Sequence, residues 1–176
     1  MTIRRSFIVG SLLLGLIGCG SQAVSTVFPR PTAVPTRIQQ VPADLEITIG
    51  RTMCYGTCPV YSLTIDHTGK VGYEGKDFVK VVGHAEATIS NEQLLTLINA
   101  FVERNYWEYL DSYNEGPECV DGFVTDNPDV ITSITMNGKT KSVRHYHGCE
   151  GFSGKGWLLE LEKLIDRTVN VKQWTD

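Results

Sequence analysis

The chain has 176 residues, of which 41% are hydrophobic and 20% charged. That is enough for one domain with a real core and too apolar for a disordered polypeptide. Sixteen Lys and Arg against 20 Asp and Glu leave a net charge of −4, which argues against nucleic acid as a partner, since that needs a clustered basic face.

At the N-terminus, Arg4 and Arg5 precede an apolar run from Ser6 to Gly18, followed by Cys19. The run is shorter than the roughly 20 residues that span a bilayer, and the order of charge, apolar stretch and small residue is that of a secretory signal. The string Leu16-Ile17-Gly18-Cys19 resembles the lipobox of bacterial lipoproteins. The resemblance implies a signal peptide over residues 1–18 and a mature N-terminus at Cys19 carrying a diacylglycerol thioether and an N-acyl chain. Two or three acyl chains anchor a protein stably where one does not. The membrane, reached through this lipid, is thus the first expected partner, and the expected location is the bacterial cell envelope, facing the periplasm or exterior. Loss of Arg4 and Arg5 with the signal takes the charge to −6.

Residues 19–43 read as the lipidated cysteine and a flexible tether. The stretch is rich in Ser, Thr, Val and Pro (Pro29, Pro31, Pro35, Pro42) and has no helical or strand periodicity. From residue 44 a single domain is expected to run to Asp176. Leu45, Ile47 and Ile49 alternate with polar residues, as do Tyr61, Leu63 and Ile65, the pattern of half-buried antiparallel strands. A Gly69 turn leads into Val71–Glu74, and further strands are expected at Phe78–Val82 and Ala85–Ile89. Ser90 with Gln93 forms a capping box that opens a helix ending near Asn105, with Leu94, Leu97, Ile98, Phe101 and Val102 on its apolar face. Tyr106–Leu110 adds a turn. Val130–Met136 and Thr140–Tyr146 flank Asn137-Gly138, a strong hairpin signal. Ser153 is the expected cap of a last helix whose inward residues are Trp157, Leu158, Leu161, Leu164 and Ile165. The expected fold class is therefore α+β: an antiparallel sheet of five or six strands with two helices packed on one face.

Cys54, Cys58, Cys119 and Cys149 remain after lipidation, and an even number in an oxidising compartment reads as two disulfides, with three pairings open to sequence alone. Cys119 and Cys149 bracket the hairpin, whose strands would bring them together; Cys54 and Cys58 would then close a local loop. The stretch Arg51 to Tyr61, with its Cys54-x-Gly56-x-Cys58-Pro59-x-Tyr61 signature, resembles a bacterial domain-of-unknown-function family. Thr125-Asp126-Asn127-Pro128, the Asn137-Gly138 hairpin and a terminal helix before Trp174 extend the resemblance over roughly Leu45 to Trp174. It implies a fold and an envelope setting but no activity, and Cys119 and Cys149 stand outside its pattern.

Three constellations carry candidate chemistry. Cys54-x-x-x-Cys58-Pro59 also resembles the motif of thioredoxin-like copper chaperones of the Sco type, in which a helix follows the cysteines; here Pro59 leads into a strand, and His84 or His145 would have to serve as the distal ligand. His145 and His147, two apart on a strand, share a face and are a candidate zinc or copper pair, with Cys149 as third ligand only if its thiol is free. Glu108, Asp111, Glu115, Glu118, Asp121, Asp126 and Asp129 form an acidic stretch with no EF-hand spacing, read as a solvated surface or a docking patch for a basic partner. No Gly-x-Ser-x-Gly elbow marks a nucleophile and no phosphate loop precedes a helix. The expectation is a binding or interaction domain with no cofactor, not an enzyme, with an envelope protein as the candidate partner. A thiol-redox or copper- or zinc-binding protein is the alternative.

Overall fold

A computed structural model describes residues 36–114 and 116–176. The expected signal peptide, Cys19 and the first part of the expected tether lie outside the described residues, as does Glu115. The end of the expected tether lies against the domain. Asn99 accepts a hydrogen bond from the Ile38 N–H at 2.7 Å and donates to its carbonyl at 2.9 Å, and Ile38 and Val41 pack on the core. The same Asn99 amide also donates to the Leu95 carbonyl, four residues before it, at 2.8 Å.

In chain order the elements are β1 (Glu46–Arg51), β2 (Val60–Asp66), β3 (Lys70–Asp77), β4 (Gly83–Thr88) and α1 (Asn91–Glu103). A 3-10 turn at Tyr106–Glu108 and β5 (Ser112–Tyr113), β6 (Gly122–Phe123), β7 (Asp129–Met136), β8 (Lys139–Tyr146) and β9 (Cys149–Glu150) follow. The chain ends with α2 (Lys155–Val169) and α3 (Lys172–Thr175). Seven strands form one sheet in the order β4-β3-β2-β1-β7-β8-β5, and β6 and β9 form a separate two-stranded ladder.

The α+β class holds, but the sheet is larger than five or six strands and it is mixed. All its neighbours are antiparallel except β5, which runs parallel to β8. Two-residue strands such as β5 have no periodicity to read; the parallel pairing arises where the chain returns from the 3-10 turn. Among the described residues there are three α-helices where two were expected, α3 being a single turn. Phe78–Val82 is not a strand but the link between β3 and β4: Phe78 has φ 52°, and the Val81 N–H donates to the Trp174 carbonyl instead of a ladder.

Period two decides which face is buried. Ile47 and Ile49, Tyr61, Leu63 and Ile65, Val71 and Tyr73, and Val130, Thr132 and Ile134 all point to one face, where Leu94, Leu97, Ile98 and Phe101 of α1 and Leu158, Leu161 and Ile165 of α2 complete the core. The Ser90–Gln93 capping box forms as expected. The cap expected at Ser153 does not. Gly154 occupies that position at φ 90°, its carbonyl accepting from the Tyr109 hydroxyl. Trp157 does not face inward either; it is half exposed, with the Arg104 guanidinium 3.6 Å from its ring centroid. Cation–π contact holds that ring at the surface.

The β7–β8 hairpin turns at Asn137 and Gly138, both at positive φ. Asp44 reaches this turn from the chain entering β1, accepting from the Asn137 N–H at 2.9 Å and the Gly138 N–H at 2.6 Å. These amides hold its carboxyl below the ordinary range. A lowered folded value contributes stability that is present above the unfolded value and lost as pH falls through the folded one. Asp44→Asn should therefore lower the melting temperature at neutral pH, with the gap to wild type starting to close near pH 4 and vanishing below it. Melting curves across that range check this; a gap independent of pH would contradict it.

Candidate functional site

The registers of four strand pairs line up one row across the sheet. Tyr61 pairs with Arg51, Arg51 with Val130, Val130 with His145, and His145 with Tyr113. All five project toward the helices. Helix α2 crosses this row and places Glu162 and Asp166, one turn apart, against it. Elsewhere the inward face is almost wholly apolar; here it is polar.

At one end, Asp166 gathers Arg51 and Tyr61. Arg51 donates to the Asp166 carboxylate from Nη2 at 2.5 Å and Nε at 3.1 Å, and Nε also reaches the Tyr61 hydroxyl at 2.9 Å. Tyr61 in turn donates to the other Asp166 oxygen at 2.7 Å. Burial raises the Tyr61 hydroxyl far above its ordinary range, and the Asp166 charge adds to this. Burial also pushes the Asp166 carboxyl up, against Arg51 and Tyr61, which favour its charged form. The guanidinium is itself disfavoured by burial, but the charge and hydrogen bond of Asp166 together with Tyr61 and Glu162 outweigh that. This triad floors a cleft of about 490 Å³, walled by Pro59 and by Asn170, Val171 and Thr175, with Lys163, Arg167 and Lys172 at its rim.

At the other end, Glu162 bridges two histidines. His145 Nδ1 lies 2.7 Å from one carboxylate oxygen and His147 Nε2 lies 2.8 Å from the other. His145 and Glu162 are 1% exposed, whereas His147, one residue past β8, is 24% exposed. Burial opposes the Glu162 charge, but the hydrogen bonds and charges of His145 and His147 outweigh it and hold the carboxyl below its ordinary range. An ionised carboxylate only accepts, so each imidazole presents an N–H to it. His145 Nε2, on the far side of its ring, is buried without a partner, and the Phe152 ring packs edge-to-face with the imidazole at 5.3 Å between centroids. Gly148 follows His147 because a Cβ there would collide with the Val124 carbonyl oxygen.

The cysteines pair as the hairpin argument expects, Cys54 with Cys58 and Cys119 with Cys149. Cys149 is therefore not a thiol ligand beside His145 and His147. The Cys54–Cys58 loop sits at the wall of the cleft through Pro59 and exposes Met53 and Tyr55. Strand β2, not a helix, begins at Val60. His84 lies on β4 beside Glu86 and across from Glu74 of β3. The acidic stretch is partly neutralised: Asp111 pairs with Lys141 and Asp129 with Arg144. Among the described residues, one group of three or more His, Cys, Asp or Glu side chains brings its donor atoms together: His145, His147 and Glu162. The acidic stretch forms no such group there.

Sequence reading missed Glu162 and Asp166. Both fall four and eight residues after Leu158, inside the inward stripe of α2, and a carboxylate in an apolar stripe is the signal that marks them.

Residues 45–169 match a family described as Domain of unknown function (DUF6438). The chain belongs to this family. The DUF6438 region runs from the start of the sheet to the end of α2 and so includes the whole polar row. A search of curated proteins finds no match to the chain. Among the described residues no helix is long and apolar enough to cross a membrane.

Proposed function

We propose that this DUF6438 protein is a lipid-anchored binding module of the bacterial envelope, exported by residues 1–18, held at the membrane by lipid on Cys19, and binding its ligand or protein partner in the Arg51–Tyr61 cleft. The observation that carries the reading is the cleft itself, a concave, largely apolar site floored by a hydrogen-bonded triad. We read the site as binding rather than catalytic because Tyr61 and Asp166 are committed to each other and to Arg51, and the raised Tyr61 value leaves it a poor base at neutral pH. The four cysteines in two disulfides fit an exported frame. For the thiol-redox alternative, the strand after Pro59 offers no helix dipole to stabilise a thiolate.

Two measurements test the reading. Cys19→Ser should move the protein from the membrane fraction to the soluble one; unchanged retention would refute the lipid anchor. A photo-crosslinking amino acid at position 172, on the cleft rim, should capture a discrete envelope component that the same probe at position 64, on the open sheet face, does not. Equal labelling from both positions would refute the cleft as the binding site.

A further inference from the structure

We propose that His145, His147 and Glu162 form a binding site for a divalent transition-metal ion, zinc foremost. Two imidazoles and a carboxylate are a donor set that suits zinc, which in open sites takes three protein ligands and leaves a fourth position for water or another ligand. Their donor atoms, His145 Nδ1, His147 Nε2 and a Glu162 oxygen, all lie within 4.8 Å of one another. His145 comes from β8 and Glu162 from α2, and His147, one residue past β8, lies two residues before the Cys119–Cys149 disulfide. His147 is the solvent-exposed member, so the open position and the access route lie on its side.

Charge favours a cation here. Two buried carboxylates, Glu162 and Asp166, sit one turn apart and repel each other, and among the described residues Arg51 is the cation bonded into their row. With neutral imidazoles the two carboxylates and the one guanidinium leave the row with a net negative charge, which attracts a dication. A metal ion would replace the two N–H donors that now face Glu162. Each imidazole then carries its proton on the ring nitrogen away from the carboxylate, so the chemistry is a tautomer exchange with no proton lost from the pair. The exchange would leave the proton on His145 Nε2, which has no partner, a cost that the bond to the metal has to exceed.

The intact protein, stripped by chelation and dialysed, is titrated with zinc chloride by calorimetry and with cobalt chloride by visible absorption. The expected result is one equivalent of zinc and a tetrahedral cobalt spectrum that zinc abolishes. Because loss even of a supporting partner weakens metal binding about 10–100-fold, loss of a direct ligand in His147→Ala or Glu162→Gln should weaken it about 100-fold or more. His84→Ala, on the exposed edge strand, should bind as wild type does. Should Glu162→Gln fail to fold, ring-nitrogen NMR of the wild-type protein decides: zinc should move the His145 proton from Nδ1 to Nε2 and that of His147 from Nε2 to Nδ1. Absence of stoichiometric binding, affinity unchanged in the folded variants, or tautomers unmoved by zinc would overturn the proposal.

Discussion

Removing the Cys119–Cys149 bridge should lower the unfolding free energy by about 3–4 kcal/mol, the loop-closure entropy of a cross-link of this length on the chain-entropy model. The two cysteines are 30 residues apart and enclose the β7–β8 hairpin, so the bridge restrains the part of the unfolded chain that must find the longest ladder in the sheet. Cys149 is fully buried and Cys119 nearly so. Cys149→Ser alone would add a buried hydroxyl without a partner, about 1–3 kcal/mol more. The double variant Cys119→Ala/Cys149→Ala isolates the loop term. For a domain of this size a loss of 3–4 kcal/mol corresponds to roughly 10–15 °C in melting temperature. The Cys54–Cys58 bridge, with a separation of four and an exposed loop, should contribute about 2 kcal/mol on the same model. Thermal unfolding of the two double variants, each with its other bridge intact, checks both the size and the order; an unchanged curve for the long bridge would refute it.

The second large effect is at Asp166. Asp166→Ala leaves the Arg51 guanidinium, 18% exposed, without its carboxylate and the Tyr61 hydroxyl without its acceptor. Breaking a buried ion pair by removing one partner costs about 3–5 kcal/mol, and partial access of water to Arg51 places this case near the lower end, about 3 kcal/mol. Tyr61→Phe removes hydrogen bonds but no charge and should cost about 1 kcal/mol. The double variant Arg51→Met/Asp166→Leu should be more stable than Asp166→Ala, because it leaves no uncompensated charge in the core. Urea denaturation of the series measures each term. If Asp166→Ala falls within about 1 kcal/mol of wild type, the triad is solvated and does not anchor the floor of the cleft.

Legibility followed the range of the interactions involved. The alternating residues of β1, β2, β7 and β8, the Ser90–Gln93 capping box and the Asn137-Gly138 turn are local patterns, each encoded within a few residues, and they appear in the structure where the sequence places them. The signature from Arg51 to Tyr61 was legible as a string but not as a site. Its first and last residues meet only because β1 pairs with β2 and Asp166 arrives from a helix 105 residues beyond Tyr61. His145 and His147 were legible as a pair sharing a face. Their third partner was not: Glu162 stands out only as a carboxylate in the apolar stripe of α2, and what it meets is set by how α2 lies across the sheet.

What the sequence determined by itself is the set of local choices: which residues alternate, where helices and turns start, how many cysteines remain to pair, and a leader that reads as an export and lipid signal. What only the tertiary structure decided is register. Strand pairing put Tyr61, Arg51, Val130 and His145 on one row, and the packing of α2 set Glu162 and Asp166 against it. Local propensities act over a turn or a few residues, whereas a row across a sheet is fixed by hydrogen bonds between strands as distant in the chain as β1 and β7, and a carboxylate's burial is set by what its helix packs against.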